Sequence, residues 1–217
     1  MADELVFYTN PMSRGRIVRW MLEEVGAPCR TEIMDYATTL KGPEYLAINP
    51  MGKVPAIRHG DVVVTEAAAI CAYLADAFPQ AGLAPPVGDK RRGTYYRWLF
   101  FGAGPVEQAT AVGALGIEIK PEQKRMMGFG DKADTLNAME SAIAGRTYIL
   151  GDQFSAADVY LGSQIGWGLQ FGSIDPRPAF VAYSEALRAR PAAQRAWQID
   201  DELAAAAQAP APQPEPA

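Results

Sequence analysis

Two hydrophobic periods run along the first third of this chain. Leu5-Val6-Phe7-Tyr8 is a short apolar run closed by Asn10-Pro11-Met12-Ser13, and it predicts a strand followed by a turn. Ile17, Val18, Met21, Leu22 and Val25 then recur at helical spacing, with Gly26 as the C-terminal stop and Arg16, Arg19, Glu23 and Glu24 on the opposite face. Pro28 to Asp35 alternates weakly and predicts a second strand. A strand, helix and strand of this length form a βαβ unit, whose strands are parallel. Lys41 to Ile48 reads as a loop or short helix, and Asn49-Pro50-Met51-Gly52 as a turn. Val54-Pro55-Ala56-Ile57 and Val62-Val63-Val64 predict two strands around a His59-Gly60-Asp61 hairpin turn. Thr65 then stands at an N-cap position with Glu66 in the first helical turn, and Ala67, Ile70, Leu74 and Phe78 share one helical face.

After Phe78 the period-2 signal disappears. Pro79 to Gly88 (PQAGLAPPVG) is too rich in Pro and Gly to continue a helix and reads as a linker. Helical stretches follow at Arg92–Ala114 and Pro121–Ala144. A third begins at Ser155-Ala156-Ala157-Asp158, a capping box with Asp in place of the usual Glu or Gln, and continues through Val159, Gly162, Ile165 and Leu169. Phe180, Tyr183 and Leu187 mark a fourth helix, ended before Pro191, and Ala192–Ala206 a fifth. The expected organisation is an α/β domain over residues 1–80, a linker over 81–88, an all-helical domain over 89–206 and a Pro-rich disordered tail over 207–217.

Pro55 is the informative residue of the first domain. Proline lacks an N–H and is unwelcome inside a sheet, but it fits if the Val54–Pro55 bond is cis, which costs an X–Pro bond only about 1 kcal/mol. The backbone N–H and C=O of Val54 would then stand at a sheet margin, where a short peptide can add as a strand. The helix start at Glu66 offers free N–H groups to a carboxylate beside it. A peptide-pairing margin next to an anion-binding helix end suits a small peptide acid; a plain edge-strand proline beside an ordinary helix start is the simpler alternative.

Composition narrows the chemistry. The chain has 217 residues, 49% of them apolar, and a net charge of −5 that argues against a general nucleic-acid binder. Cys29 and Cys71 form neither a disulfide framework nor a metal motif. The one histidine, His59, falls in a predicted turn, which leaves little room for Ser-His-Asp or Cys-His catalysis. No run of about 18 apolar residues is present, so no membrane span is expected. MADELVFYTN carries no basic segment or apolar h-region, so a cytoplasmic protein is expected.

Three motifs together resemble the cytosolic glutathione transferases: Val54-Pro55-Ala56 after Asn49-Pro50-Met51-Gly52-Lys53; Thr65-Glu66-Ala67, where the family usually has Glu-Ser or Asp-Ser; and Ser155-Ala156-Ala157-Asp158 after Tyr148-Ile149-Leu150-Gly151-Asp152. The resemblance covers residues 4 to about 203. It implies a thioredoxin-like α/β N-terminal domain, an all-α C-terminal domain, a homodimer, and glutathione as co-substrate with no metal. It further implies that Val54, ahead of Pro55, pairs with the cysteinyl backbone of glutathione. Glu66 and the N–H of Ala67 would receive the γ-glutamyl end, and Lys41 and Lys53 the glycyl carboxylate. The sequence departs from the family at Ala67, where a missing hydroxyl removes one hydrogen bond worth about 1 kcal/mol.

Catalysis in that family is stabilisation of a thiolate. A free thiol has a pKa of about 8.5, and lowering it two units takes roughly 2.7 kcal/mol. One charge-assisted hydrogen bond (about 1.5–3 kcal/mol) together with a helix N-terminus (about 0.3–1 kcal/mol) covers this. Ser13 stands where the first helix begins and is the favoured donor. Tyr8 at the strand end is the competitor, and Arg14-Gly15-Arg16 resembles the tyrosine-using classes. Neither cysteine lies in that turn. By position, Met12, Tyr96, Phe100 and Trp167 are candidates to line a pocket for a small apolar electrophile. The expected activity is conjugation of glutathione to such electrophiles. A glutathione-binding or interaction protein with little turnover, and a glutathione-dependent isomerase or dehalogenase, are the alternatives.

Overall fold

Alternation along the first strand already divides the N-terminal part into two layers. In β1 (Leu5–Thr9), Leu5 and Phe7 join the large apolar cluster on one face of the sheet, while Val6 and Tyr8 join a smaller one with Met34, Leu40, Tyr45 and Ala56 on the other. The computed structural model describes residues 3–208. After β1 come α1 (Gly15–Val25), β2 (Arg30–Ile33), a 3₁₀ turn at Thr39–Lys41, the one-turn helix α2 (Pro43–Leu46), β3 (Ala56–His59), β4 (Val62–Thr65) and α3 (Ala67–Ala77). The sheet order is β2-β1-β3-β4; β1 and β2 are parallel, and β3 pairs antiparallel with β1 and β4. Gly26 ends α1 in the left-handed conformation (φ 69°), as its glycine stop predicts.

The remainder is helical: α4 (Arg91–Phe101), a π-helical turn (Gly102–Val106), α5 (Glu107–Ala114), α6 (Lys132–Ile143), α7 (Ala156–Phe171), α8 (Pro178–Arg188) and α9 (Pro191–Gln208). The fold is therefore a four-stranded mixed sheet with helices, followed by an all-helical part. One apolar cluster runs through both, from Phe7, Ile17 and Ile70 to Leu161, Ile165 and Phe180. α7 opens on Asp158, fully buried, whose carboxylate accepts the Ser155 N–H at 2.8 Å, the Ser155 hydroxyl at 2.9 Å, the Ile149 N–H at 2.7 Å and the Tyr183 hydroxyl at 2.7 Å.

Several expectations need correcting. The Val54–Pro55 bond is cis, but β3 is an inner strand, and Val54 and Pro55 lie just before its first ladder pair rather than along a sheet edge. Thr65 does not cap α3; it is the last residue of β4, and Glu66 is the N-cap. Residues 121–130 form turns, and α6 starts only after Asp131, which caps it by accepting the Asp134 N–H at 2.8 Å. Arg19 is buried (6% exposed) because its face of α1 packs under α9. α9 continues through positions 207 and 208, two residues beyond the expected tail boundary; the rest of that Pro-rich tail, 209–217, lies outside the described residues.

Candidate functional site

Strand register brings three separate segments to one end of the sheet. Tyr8, near the end of β1, is opposite Ala56 at the start of β3, and Ala56 is opposite Thr65 at the end of β4. The turn 10–14 leaving β1, the Val54–Pro55 segment entering β3, and Glu66 leaving β4 therefore meet there. Both α1 and α3 begin at this same end, so two helix N-termini bring partial positive charge to it.

Ser13 sits half-buried in the turn. Its hydroxyl donates to the Asn10 carbonyl at 2.6 Å and accepts the Gly15 N–H at 2.9 Å. The Asn10 side chain holds the turn from both sides, accepting the Met12 N–H at 2.9 Å and donating to the Met34 carbonyl at 2.8 Å. Gly15 makes this close packing possible: a Cβ there would lie 1.9 Å from Thr9 Oγ1 and 2.9 Å from Ser13 Oγ. Tyr8 is 8% exposed, and its ring packs against Tyr45 (centroids 5.7 Å apart) in the small cluster on the sheet face away from α1.

Glu66 is the one non-glycine residue with positive φ among the described residues (φ 66°, ψ 115°). Such a conformation costs about 1–3 kcal/mol and clusters at ligand sites. It turns the chain sharply from β4 into α3, leaving the Glu66 side chain exposed while the methyl of Ala67 enters the large apolar cluster. The loop before Val54 is tied from below: the Tyr45 hydroxyl donates to the Lys53 carbonyl at 2.6 Å and Asn49 Nδ2 donates to it at 2.8 Å. Burial pushes the Tyr45 phenol up to about 12, so it stays a donor. Lys41 and Lys53 are exposed on this loop system, and Lys41 Nζ donates to the Met51 carbonyl at 2.9 Å.

The helical part reaches this end of the sheet through Arg14. Its Nε donates to Glu107 Oε1 at 2.6 Å and its Nη2 to Glu107 Oε2, a two-pronged pair. Gln164 Nε2 donates to the same Glu107 at 2.7 Å and lies 3.3 Å from the Tyr160 hydroxyl. The hydrogen bond to Glu107 raises the Arg14 pKa further above its ordinary value. Glu107 opens α5 directly after the π turn, in which Pro105 needs no N–H partner and Gly102 passes the Tyr160 ring so closely that a Cβ would lie 2.8 Å from it. Glu107 and Gln164 carried no sequence signal, since the contacts that recruit them span 93 and 57 residues.

The four candidates for an electrophile pocket are not all brought together. Met12 is 67% exposed on the Ser13 turn. Tyr96 and Phe100 lie one turn apart on α4, and the Tyr96 hydroxyl accepts from Arg92, which also binds Asp76 at the end of α3. Trp167 is elsewhere: it lines a cavity between α1, α7, α8 and α9 whose walls include none of the other three. Among the described residues no group of three or more His, Cys, Asp or Glu could hold a metal ion, and no helix is long and apolar enough to cross a membrane.

Residues 12–77 match the glutathione S-transferase N-terminal domain and residues 103–191 the glutathione S-transferase C-terminal domain. Glutathione S-transferase Z2 of Arabidopsis thaliana is 30% identical over 160 residues, which are 70% of this chain and 71% of that protein. A glutathione transferase structure from Methylococcus capsulatus str. bath is 32% identical with a TM-score of 0.76, covering 91% of this chain and 99% of that one. A sphingomonad glutathione S-transferase structure complexed with glutathione is 31% identical with a TM-score of 0.72, covering 90% and 98%.

Proposed function

Since the chain belongs to the glutathione S-transferase family, we propose that it ionises the glutathione thiol with the Ser13 hydroxyl and transfers the sulfur to small apolar electrophiles. The observation that carries this reading is the meeting of the Ser13 turn, the Val54–Pro55 segment and the strained Glu66 at one end of the sheet. A tripeptide lying across that end finds backbone groups at Val54, helix N–H groups at Ala67 for its γ-glutamyl carboxylate, and Lys41 and Lys53 for its glycyl carboxylate. Its cysteinyl sulfur then falls toward α1. To serve the thiolate, Ser13 turns its proton from the Asn10 carbonyl to sulfur while keeping the Gly15 N–H as a donor to its oxygen. The packing of Tyr8 with Tyr45 on the far face favours Ser13 over Tyr8 as that donor.

The reaction balances simply. The thiol proton leaves to solvent, the thiolate sulfur forms a bond to the electrophilic carbon, and the leaving group departs with its electron pair; on an activated alkene the carbon takes up a proton instead. Met12, exposed on the Ser13 turn, is proposed to begin the apolar wall, with Tyr96 and Phe100 of α4 as its further candidates. A cytoplasmic setting and a homodimer belong to the same reading, with Met51 (66% exposed) as an apolar anchor for a second copy; a monomeric mass at micromolar concentration in solution argues against the dimer.

The deciding experiment titrates the thiolate absorbance of bound glutathione in the wild type, Ser13→Ala and Tyr8→Phe. Ser13→Ala is expected to raise the bound thiol pKa by roughly one to two units, with the rate loss greatest below neutral pH and little change in affinity. A curve moved by Tyr8→Phe and not by Ser13→Ala assigns the role to Tyr8. Retention on a glutathione column without turnover of any electrophile favours a binding protein over an enzyme.

A further inference from the structure

We propose that the cavity between α1, α7, α8 and α9 is a separate binding site for a small flat aromatic carboxylate. The cavity holds about 180 Å³, somewhat more than the roughly 150 Å³ apolar cavity that accommodates a benzene ring. Three of the chain's four tryptophans, Trp20, Trp167 and Trp197, line it together with Arg16, Arg188 and Asp201. On its α7 side stand Gly162 and Gly166, one turn apart: the Leu187 side chain packs onto Gly162, while at Gly166 a Cβ would meet only Ser184 Oγ, at 3.4 Å, which leaves room there. Indole walls around that room fit an aromatic ring by stacking, which proteins use for flat ligands.

Charge selects the rest of the ligand. Two arginines and one aspartate leave the lining net positive. Arg188 stacks over the Trp197 ring at 4.7 Å, which places a cation beside an aromatic wall. Arg16 donates Nε to the Pro11 carbonyl at 2.6 Å and Nη1 to Asp201 at 2.7 Å. A guanidinium has five N–H donors, so those two bonds do not exhaust it. A carboxylate reaching these arginines makes charge-assisted bonds that a neutral amide does not. The lining contains none of Ser13, Val54, Glu66 and Ala67, so occupancy does not compete with glutathione. The Arg16–Pro11 bond nonetheless ties this cavity to the turn that carries Ser13.

The test is tryptophan fluorescence of the full-length protein titrated with phenylacetate, phenylacetamide and benzylamine, whose single rings leave the indole emission clear. Phenylacetate is expected to give a saturable change, phenylacetamide to bind about tenfold more weakly or worse, and benzylamine not to bind. Saturating S-hexylglutathione is expected to leave the phenylacetate curve unmoved. Gly166→Leu fills the cavity; its Cβ meets only Ser184 Oγ, at 3.4 Å, so the protein is expected to stay folded, conjugate normally and lose phenylacetate binding. Displacement by S-hexylglutathione, equal binding of the amide, unchanged binding in Gly166→Leu, or no phenylacetate binding at millimolar concentration each overturns the proposal. Should Gly166→Leu not fold, Arg188→Gln decides: it must weaken phenylacetate and spare phenylacetamide.

Discussion

The turn between β1 and α1 shows how a site depends on an atom that is missing. Ser13 Oγ lies between the Asn10 carbonyl and the Gly15 N–H because Gly15 lets the start of α1 settle on Thr9. Gly15→Ala would put a methyl 1.9 Å from Thr9 Oγ1, and Thr9 is fully buried and unable to retreat. The expected cost is about 1–3 kcal/mol of stability together with a fall in kcat/KM, since Ser13 shifts with the turn; denaturant melts and steady-state rates check both. At Ala67 the opposite change is expected to help. Ala67→Ser places a hydroxyl at the start of α3, where the γ-glutamyl end is proposed to bind. It should tighten glutathione by about fivefold, one hydrogen bond's worth, measured by calorimetry. Ser13 and Pro55 were legible in sequence because turn chemistry is local. Gly15 was not, because its reason lies in a strand residue that only the fold brings against it.

Among elements, the contact of α1 with α9 departs most from what the hydrophobic pattern suggested. The pattern puts Arg16, Arg19, Glu23 and Glu24 on one polar face of α1 and names no partner for it. In the fold Arg16 pairs with Asp201, Arg19 with Asp200, Glu23 with Arg195, and Glu24 with Arg190, which immediately precedes α9. Periodicity finds a polar face but not the oppositely charged helix that covers it. Arg19 and Asp200 are both buried; they approach only to 3.5 Å, and among the described residues neither Asp200 oxygen has a hydrogen-bond partner. Burial therefore outweighs the attraction of Arg19 and Arg16, and pushes the Asp200 carboxyl up to about 6. A raised carboxyl pKa means the folded state holds a proton that the unfolded state has released, so this group's contribution to stability declines as pH rises from about 4 to about 6 and is level above that. The decline is up to about 3 kcal/mol. Subtracting the unfolding free energy of Asp200→Asn from that of the wild type across this range isolates it from the other carboxylates. The difference should fall with rising pH; a flat difference would show that Asp200 titrates as an ordinary aspartate. The capping box of α7, by contrast, was legible because Ser155 and Asp158 are three residues apart and need no tertiary partner to be recognised.

For the molecule as a whole, the order of elements and the division into a sheet-bearing and a helical part could be read from the change of hydrophobic period at Phe78. What joins them could not. The pair of Arg14 with Glu107 links the first turn of α1 to the start of α5, and Gln164 extends it to α7. It is a two-pronged pair with Glu107 only 23% exposed, so it should exceed the few tenths of a kcal/mol of an ordinary surface bridge. A cycle of Arg14→Lys, Glu107→Gln and the double variant is expected to give a coupling of about 1 kcal/mol or more, because lysine cannot reproduce the fork. The same cycle tests whether the pair only docks the two parts or also sets the field at the site. Arg14 follows Ser13 directly, and Glu107 offsets its charge. Glu107→Gln keeps an acceptor for Arg14 and for Gln164 but removes that offset, so the guanidinium acts more strongly on a thiolate bound beside Ser13. The acid limb of the kcat/KM profile is then expected to move to lower pH in Glu107→Gln, even though the protein is less stable. A pair that serves docking alone would lower the rate with the limb unmoved.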